Sequence, residues 1–470
     1  MSDLGAAPQR TGMPPDMTGL SVSVVGFLSA HLGLGEAARN LCCALESVGV
    51  APLKIDISPY FDVPRGNFPP STHDNSGTPP PVAIIVCGAD SIAEISRLVS
   101  SQTENTYRIG LIFWESSEIP SYLSKEFGFF DELWAPSAFI ESLLKIHPAV
   151  NLIRMPISFD MPDIVNDRNF IIKSCSDIKE DEFIFLNQFD VRSSVSRKNP
   201  QGVIEAFKIA FKAEEAVRLV IKTINMAQYP EVAADLAARA RGHRISFVDR
   251  SLDHLDRFRL LAAADCFVSL HRAEGFGLSI AEAMAYGVPV VATGWSGNLD
   301  FTSTENSALV GYDLVLSSLA DGPYPAGSMW AEPRVEDAAK QMRRIHDDPA
   351  WQSALGKAGR VTVRANHSAA RAGAIMRARL EWLAQAGPGA SASISKPQRR
   401  VRLGQIFNRK RMSVWGNSLS VIYGDFIRDP SFYFSRFGHG LALLRHIGPK
   451  LLARRLLLLA IQRRRDSHTQ

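Results

Sequence analysis

Two glutamates with a glycine-rich turn between them form the most informative feature of the sequence. Glu274 and Glu282 are separated by seven residues, and Gly-Phe-Gly-Leu follows the first directly. The glycines lack a Cβ atom, so backbone amides can approach a ligand closely, and the helix predicted to begin near Leu278 adds partial positive charge. Glutamate is common, so it is this setting that predicts a site for an anion or for dense sugar hydroxyls. The candidate residues are Glu274, Gly275, Phe276, Gly277, Leu278 and Glu282.

Four cations are placed where an anionic ligand would need them. The segment 190–200 reads Asp-Val-Arg-Ser-Ser-Val-Ser-Arg-Lys-Asn-Pro and joins a predicted strand to a helix that begins with proline. Lys222 lies at the carboxyl edge of the next predicted strand, 218–223. Each cation alone would usually be a solvated surface group. The candidates are Arg192, Arg197, Lys198 and Lys222.

The first half of the chain offers weaker candidates. Gly33 and Gly35 lie in a glycine-bearing loop between a predicted strand and a helix, a pattern that a dinucleotide-binding fold would also show. Glu115 follows the apolar strand 109–114, where a carboxylate would face a cleft or simply order its loop. His31 and His271 are predicted to be structural.

Two α/β units must position these residues. Short apolar runs alternate with helical segments from residue 20, the alternation stops in an irregular polar stretch over 156–179, and it then restarts. Near-continuous apolar strands between helices are typical of doubly wound parallel sheets, which bind ligands at the carboxyl ends of their strands. The sequence therefore predicts two Rossmann-like domains that face a cleft, 20–165 and 175–385, with helices over 335–383 closing the second.

A basic extension follows, over 396–470. It holds 16 Lys and Arg against 3 Asp, a formal charge of +13, so the preceding residues carry −9 of the total of +4. Within 437–465, leucine pairs alternate with arginines, which favours an amphipathic surface helix on an anionic membrane over nucleic acid, with a solvated tail as the alternative.

Composition narrows the class of protein. Of 470 residues, 46% are hydrophobic and 21% charged, which is typical of a globular protein. The longest aliphatic run, 456–461, is far shorter than a membrane span, and the first 19 residues contain no apolar signal segment. The five cysteines are scattered, which favours a reducing cytoplasm and neither disulfides nor zinc.

Over residues 20–385 the sequence resembles the family 4 retaining glycosyltransferases of the GT-B fold, whose EX7E motif matches the segment at 274–282 together with the trailing Ala-Met-Ala-Tyr-Gly-Val-Pro-Val-Val-Ala. The resemblance implies that Glu274 holds donor-sugar hydroxyls and that Glu282 holds the ribose. It implies that Lys198, with either Arg192 or Arg197, grips the diphosphate, and that the loop with Gly33 and Gly35 closes over the phosphates. Many relatives place a Trp-Glu pair where Glu115 stands.

The resemblance implies transfer of a hexose, mannose being the first guess, from a nucleotide sugar to a glycan or lipid-linked acceptor with retention of configuration. No cofactor or metal is expected, because helix and cations replace the ion. The protein would be cytoplasmic, with its extension at the inner face of the membrane, as in polysaccharide assembly. The alternatives are a non-catalytic nucleotide-sugar-binding subunit and a sugar-nucleotide epimerase of the same fold.

Overall fold

A computed structural model describes residues 20–66, 80–100, 102–103, 105–145, 150–159, 161–164, 168–175, 177–318 and 320–386. The basic extension 396–470, and with it the predicted membrane contact, lies outside the described residues. Among the helices that are described, none is both long enough and apolar enough to cross a bilayer.

The first domain is a parallel sheet with helices packed on it. Its elements are β1 (Val22–Gly26), α1 (Gly33–Ser47), β2 (Leu53–Asp56), β3 (Val82–Gly88), α2 (Ile92–Val99), β4 (Tyr107–Phe113), α3 (Ser121–Ser124), β5 (Glu132–Ala135), α4 (Ala138–Leu144) and β6 (Asn151–Arg154). The strand order is β2-β1-β3-β4-β5-β6, with every pairing parallel. The central strands are buried along almost their whole length, as expected for a sheet covered on both faces.

The second domain repeats this design. Its elements are α5 (Arg168–Ser174), β7 (Phe183–Asp190), α6 (Val195–Lys198), α7 (Pro200–Ala210), β8 (Val217–Ile224), α8 (Pro230–Ala240), β9 (Ile245–Asp249), α9 (His254–Ala262), β10 (Cys266–Ser269), α10 (Leu278–Ala285), β11 (Val290–Thr293), β12 (Ala308–Val310), β13 (Tyr312–Leu316), β14 (Met329–Pro333), α11 (Val335–Asp347), α12 (Pro349–Asn366) and α13 (Ala369–Ala386). The parallel sheet has the order β12-β11-β10-β7-β8-β9, and β13 and β14 form a separate antiparallel hairpin.

The predicted fold class, two Rossmann-like sheets, is confirmed. The prediction of an irregular stretch over 156–179 is wrong in part, because α5 lies inside it. This helix is mostly polar and short, but Ile171 is fully buried and Arg168 donates to Asp265 at 2.7 Å, which fixes the helix against the second domain. No sequence pattern predicted the hairpin of β13 and β14, which lies outside the parallel sheet of the second domain.

The last helix, α13, returns to the first domain. Gly373 packs so closely on α1 that a Cβ atom there would lie 2.0 Å from the Ala44 carbonyl oxygen. Arg377 donates to the Val48 carbonyl at 2.7 Å, and Arg379 donates to the buried Glu132 at 2.5 Å. The helix that the sequence assigns to the end of the second domain therefore contacts the first.

Candidate functional site

The turn before α10 is fixed between the two domains. Gly277 has a φ of +95°, a backbone conformation that favours glycine, and it caps α10. A Cβ atom on Gly275 would lie 3.0 Å from the Trp114 carbonyl oxygen of the first domain, and Ser137 Oγ donates to the Gly275 carbonyl at 2.5 Å. Because these contacts cross the cleft, the turn forms part of the surface where the two domains meet.

The backbone N–H groups of Phe276, Gly277 and Leu278 have no acceptor among the described residues. The Phe276 side chain packs against Phe301 and His367, so its ring is not the part of this residue that would contact a ligand. The predicted contribution of this turn therefore comes from its backbone, which can receive an anion at the helix N-terminus.

Glu274 lies beside two of the predicted cations. Lys198 Nζ donates to Glu274 Oε1, and Arg197 Nη1 lies 3.4 Å from the same oxygen. The Glu274 amide donates to Ser296 Oγ at 2.8 Å, which fixes the backbone of the residue. Although burial by itself raises the pKa of Glu274, Lys198 and Arg197 hold it at about 2. The carboxylate is therefore ionised at neutral pH and can accept hydrogen bonds from hydroxyl groups.

Glu282 lies deeper on α10 and is paired with a residue that the sequence did not single out. Arg257 of α9 donates to both carboxylate oxygens of Glu282, at 2.8 and 2.9 Å. Arg257 Nη2 is also 3.3 Å from Glu36 of α1, which joins the two domains at this point. Burial raises the pKa of Glu282 to about 7, against the pull of Arg257. Burial also raises the pKa of Glu36, but Arg257 and Arg39 together hold it below its usual value.

Lys222 is a buried cation, 8% exposed, at the carboxyl end of β8. It forms no ion pair within the described part of the chain. Burial, and then the nearby charge of Arg257, lower the pKa of Lys222 to about 8. The same charges reach the loop before α1, because burial, Arg39 and Arg257 lower the pKa of His31. Lys222 and Arg257 are therefore cations that an anion could contact on this side of the cleft, beside the carboxylates of Asp190, Asp249, Glu36 and Glu282.

The two candidate arginines of the loop after β7 make different contacts in the structure. Arg197 is 4% exposed, lies next to Glu274, and donates to the carbonyls of Ala273 and Ser193, both at 2.9 Å. Arg192 instead donates to Gln228 Oε1 at 2.8 Å and to the Asp62 carbonyl of the first domain at 3.2 Å. Only Arg197 lies in the group that surrounds Glu274.

The two glycines of the first domain face different surroundings. A Cβ atom on Gly35 would lie 2.6 Å from the carbonyl oxygens of both Phe27 and Ala30, so this glycine is required by its own domain. At Gly33 the nearest atom to such a Cβ would be Leu278 Cδ1 at 3.8 Å, across the cleft. Gly33 therefore lies at the entrance of α10, where a ligand would be enclosed.

Glu115 lies just beyond the carboxyl end of β4, on the side of the cleft near Arg197. Its Oε2 atom accepts a hydrogen bond from the Tyr324 hydroxyl at 2.5 Å. Tyr324 belongs to the loop between β13 and β14, about 200 residues away in sequence, and no local pattern marks it. His271 is fully buried and hydrogen-bonded to Ser269 and Asn298, as its predicted structural role requires.

Most of the predicted residues thus lie around one cleft. Arg192 contacts the first domain away from the Glu274 group, Gly35 packs within its own domain, and the Phe276 ring packs on Phe301 and His367. No group of three or more His, Cys, Asp or Glu side chains suited to a metal ion occurs in the described ranges.

Comparison with known proteins identifies the fold. The structural match to sucrose-phosphate synthase from Thermosynechococcus elongatus covers 78% of this chain and 100% of that one, at 18% identity and a TM-score of 0.55. The match to HepE from Anabaena, solved with UDP and glucose, covers 77% of this chain and 100% of that one, at 11% identity and a TM-score of 0.53. The chain spans about half of some other matched structures, such as TarM of S. aureus (55%, with 64% of this chain covered; 13% identity, TM-score 0.47).

Sequence comparison is more restricted. No curated protein matches the chain significantly. Residues 183–321 match the family model described as Glycosyl transferases group 1, and this range contains Lys198, Lys222, Glu274 and Glu282. The chain therefore has the GT-B fold, and its second domain carries the segment that matches the group 1 glycosyl transferases.

Proposed function

We propose that this protein is a retaining glycosyltransferase that moves a hexose from a nucleotide sugar to a glycan or a lipid-linked acceptor. The observation that carries the proposal is the Glu274–Lys198 pair at the entrance of α10, next to backbone amides that find no acceptor in the described ranges. The family match over 183–321 supports it, because that range contains both residues. The similarity of the fold to HepE, which was solved with UDP and glucose, is consistent with a nucleotide-sugar donor.

The donor diphosphate would lie against the amides at 276–278 and the cations Lys198, Arg197 and Lys222. Helix N-termini and charge-assisted hydrogen bonds both stabilise phosphate oxygens. The surroundings of Lys222 suit a phosphate ligand, because this lysine is buried near other cations and has no ion pair in the described part of the chain. Two or more fixed cations here would supply the charge that other glycosyltransferases obtain from a metal ion.

The two glutamates would hold the two sugars of the donor. Glu274 is ionised and would accept hydrogen bonds from hydroxyls of the transferred hexose. Glu282 would accept from the ribose hydroxyls, which requires the ribose to share or replace its contact with Arg257. Because Arg257 also contacts Glu36, donor binding would change a contact between the two domains.

In the reaction, the bond between the anomeric carbon and the phosphate oxygen breaks and the electron pair leaves with the diphosphate. The acceptor oxygen bonds to the anomeric carbon on the same face, and its proton passes to a donor phosphate oxygen. Lys198 and the helix amides would stabilise the charge that develops on the leaving group, an effect worth about 10²–10³ in rate for one such donor. Glu115 would contact the donor sugar or the acceptor from the first domain.

The identity of the sugars belongs to the same proposal. Mannose from GDP-mannose is the first donor to test. A lipid-linked acceptor at the inner face of the membrane would bring the basic extension 396–470 close to anionic lipids. This would place the protein in the cytoplasm, with peripheral membrane contact during polysaccharide assembly.

The test measures transfer or slow hydrolysis of a panel of GDP-, UDP- and ADP-sugars. The quantity recorded is the release of nucleoside diphosphate. We expect Glu274→Gln to lower the rate at least about 100-fold, because it removes the charge that receives the sugar and orients Lys198. Glu305→Gln is the matched control, since Glu305 is an exposed glutamate of the same domain. Full activity of Glu274→Gln would refute the proposed site, and an epimerised donor formed without acceptor would identify an isomerase instead.

A further inference from the structure

The short helix α6, which carries Arg197 and Lys198, has at each end a residue whose backbone conformation favours glycine. Ser194 precedes the helix with a φ of +68°, and Asn199 follows it with a φ of +52°. Asparagine tolerates a positive φ because its short side chain hydrogen-bonds locally, whereas serine adopts one less often. Strained backbone persists only where the surrounding structure fixes it, and it is concentrated at functional sites. The contacts that hold Ser194 in place are therefore of functional interest.

The carboxyl end of α6 is fixed by the core of its own domain. Asn199 is 2% exposed, and its Nδ2 atom donates to the Leu270 carbonyl, just beyond β10, at 3.0 Å. Its Oδ1 atom accepts from the Gly202 amide at 3.1 Å and so caps α7. Both β10 and α7 belong to the parallel sheet and its helices, so the sheet itself holds this end of α6.

The amino end of α6 is held by the loop between β13 and β14. Ser194 Oγ donates to Asp321 Oδ2 at 2.6 Å and accepts from the Arg197 amide at 3.1 Å, so the hydroxyl serves both as donor and as acceptor. The backbone of Asp321 exchanges two hydrogen bonds with that of Tyr324, at 3.0 and 3.1 Å, which closes the turn that carries the carboxylate. The Tyr324 ring also lies 5.9 Å from the guanidinium carbon of Arg197. A closed turn of the hairpin thus contacts the first residue of the cation-bearing segment.

A second contact from the hairpin supports the same helix. Arg272, in the loop after β10, donates to the Ser196 carbonyl of α6 and pairs with Glu332 of β14 through Nε at 2.5 Å and Nη2 at 2.7 Å. The Ala331 amide of β14 donates to the Arg272 carbonyl at 2.9 Å. Because β13 and β14 lie outside the parallel sheet, they add no strand to it. Their contacts with α6 instead give the hairpin a role in placing the helix that carries the cations.

We propose that Ser194 and Asp321 are positioning residues, through which the hairpin of β13 and β14 holds α6 and its two cations against the donor diphosphate. The inference rests on the proposed function for the identity of the ligand. Arg197 and Lys198 both reach Glu274 from α6, so a shift of this helix would move both cations at once. Charge-assisted hydrogen bonds to phosphate depend on geometry, and a small displacement of the donors weakens them.

The variant Ser194→Gly separates positioning from stability. Glycine adopts a positive φ without strain and replaces a serine cap at little cost, so we expect the Tm of the full-length protein to stay the same or to rise. Because the hydroxyl is lost, we expect the affinity for UDP or GDP, whichever binds the wild type, to fall about tenfold in calorimetric titrations. The affinity for uridine or guanosine, measured by competition, should stay unchanged, since a nucleoside has no diphosphate.

The partner variant Asp321→Ala should weaken UDP or GDP binding to the same extent. The double variant should bind no more weakly than either single one, because both changes remove the same contact. Asp321→Asn keeps an oxygen that can accept from Ser194 and should restore most of the wild-type affinity. Asp313→Ala is the matched control, since Asp313 is an acidic residue of the same hairpin that pairs with Arg334 at the surface, at 2.6 Å.

Hydrogen–deuterium exchange adds a measurement that needs no nucleotide. Peptides that cover 194–199 should exchange faster in Asp321→Ala than in Asp313→Ala, because the Arg197 amide is bonded to Ser194. Wild-type exchange and wild-type UDP or GDP affinity in Asp321→Ala would overturn the inference. An equal loss of nucleoside affinity, or a fall in Tm that accounts for the loss, would show that the contact only stabilises the fold. If the wild type binds neither UDP nor GDP, the proposed function fails, and the positioning of a diphosphate site fails with it.

Discussion

Lys222 gives the proposed phosphate site its own pH dependence. The pKa of Lys222 is lowered to about 8, chiefly by burial, from a usual value of about 10.4. Below pH 8 the ammonium group is charged and attracts a diphosphate, whereas above pH 8 it loses its proton and the attraction. We therefore expect the affinity for UDP or GDP to fall as the pH rises through 8, and the decline to be absent in Lys222→Met.

Calorimetric titration between pH 6.5 and 9.5 measures this decline. Lys212→Met is the control, because Lys212 is an exposed lysine of the same domain and its loss should leave the pH profile unchanged. A decline of equal size in wild type and Lys222→Met would show that another group titrates in the site.

The site residues found from sequence share one property, which is that each lies in a local pattern. Glu274, Glu282 and Lys198 stand at fixed distances from glycines, a proline and predicted helix starts, so their neighbours along the chain identify them. Arg257 and Tyr324 are partners across the fold, 25 and 209 residues from the carboxylates that they contact. Arg257 reaches Glu282 because α9 packs beside α10, and Tyr324 reaches Glu115 because the two domains meet there; no local pattern encodes either contact.

The structure places Gly33 and Gly35 in the first turn of α1 rather than in the predicted loop, and the sequence cannot tell the two glycines apart. At Gly35 a methyl group would lie 2.6 Å from two backbone oxygens, and at Gly33 it would make an ordinary contact with Leu278. We expect Gly35→Ala to destabilise the protein by about 1–3 kcal/mol, since backbone atoms cannot move aside cheaply. Gly33→Ala should change stability by less than about 0.5 kcal/mol and instead weaken nucleotide binding, if the first turn of α1 closes over phosphates.

Urea unfolding and nucleotide titration of the two variants test this contrast directly. Equal stability of Gly35→Ala and wild type would mean that the turn adopts another conformation in solution. Unchanged nucleotide affinity in Gly33→Ala would remove the first turn of α1 from the proposed donor site.

The strands that sequence predicts best are those buried on both faces. β4 is a near-continuous apolar run that the sequence predicts over 109–114, and the structure confirms it with ends shifted by one or two residues. β2 has the sequence Leu-Lys-Ile-Asp and is only half-buried, so its pattern resembles a loop as much as a strand. The hairpin of β13 and β14 is stabilised by contacts beyond the sheet, and its sequence alone gives no reason to place it over the cleft.

The two domains are tied together by the course of the chain as well as by the cleft. Asp300 of the second domain accepts from the Ala138 amide at 3.1 Å and pairs with Arg154 of the first. α12 packs on α10 of the second domain, and α13, which follows it, packs on α1 of the first. Opening the cleft would therefore strain the connection through α13 unless that helix moves with the first domain.

Glu132 is the anchor of this connection. It is fully buried and accepts hydrogen bonds from Trp134 Nε1 at 2.7 Å, from the Tyr107 hydroxyl at 3.2 Å and from Arg379 of α13 at 2.5 Å. Arg379 is the charged partner that neutralises the carboxylate, and removing one member of a buried pair leaves the other uncompensated.

We therefore expect Arg379→Met to destabilise the protein by about 3 kcal/mol, which corresponds to a fall in Tm of roughly 6–12 °C for a domain of this size. Arg239→Met is the control, because Arg239 pairs with Asp235 and Glu205 at the surface, where an ion pair contributes at most about 1 kcal/mol. Calorimetry should show the fall in the transition of the first domain, if the two domains unfold separately. If Arg379→Met lowers the Tm no more than the surface control Arg239→Met does, α13 is not held by Glu132. Its attachment then depends on the close packing of Gly373 against α1.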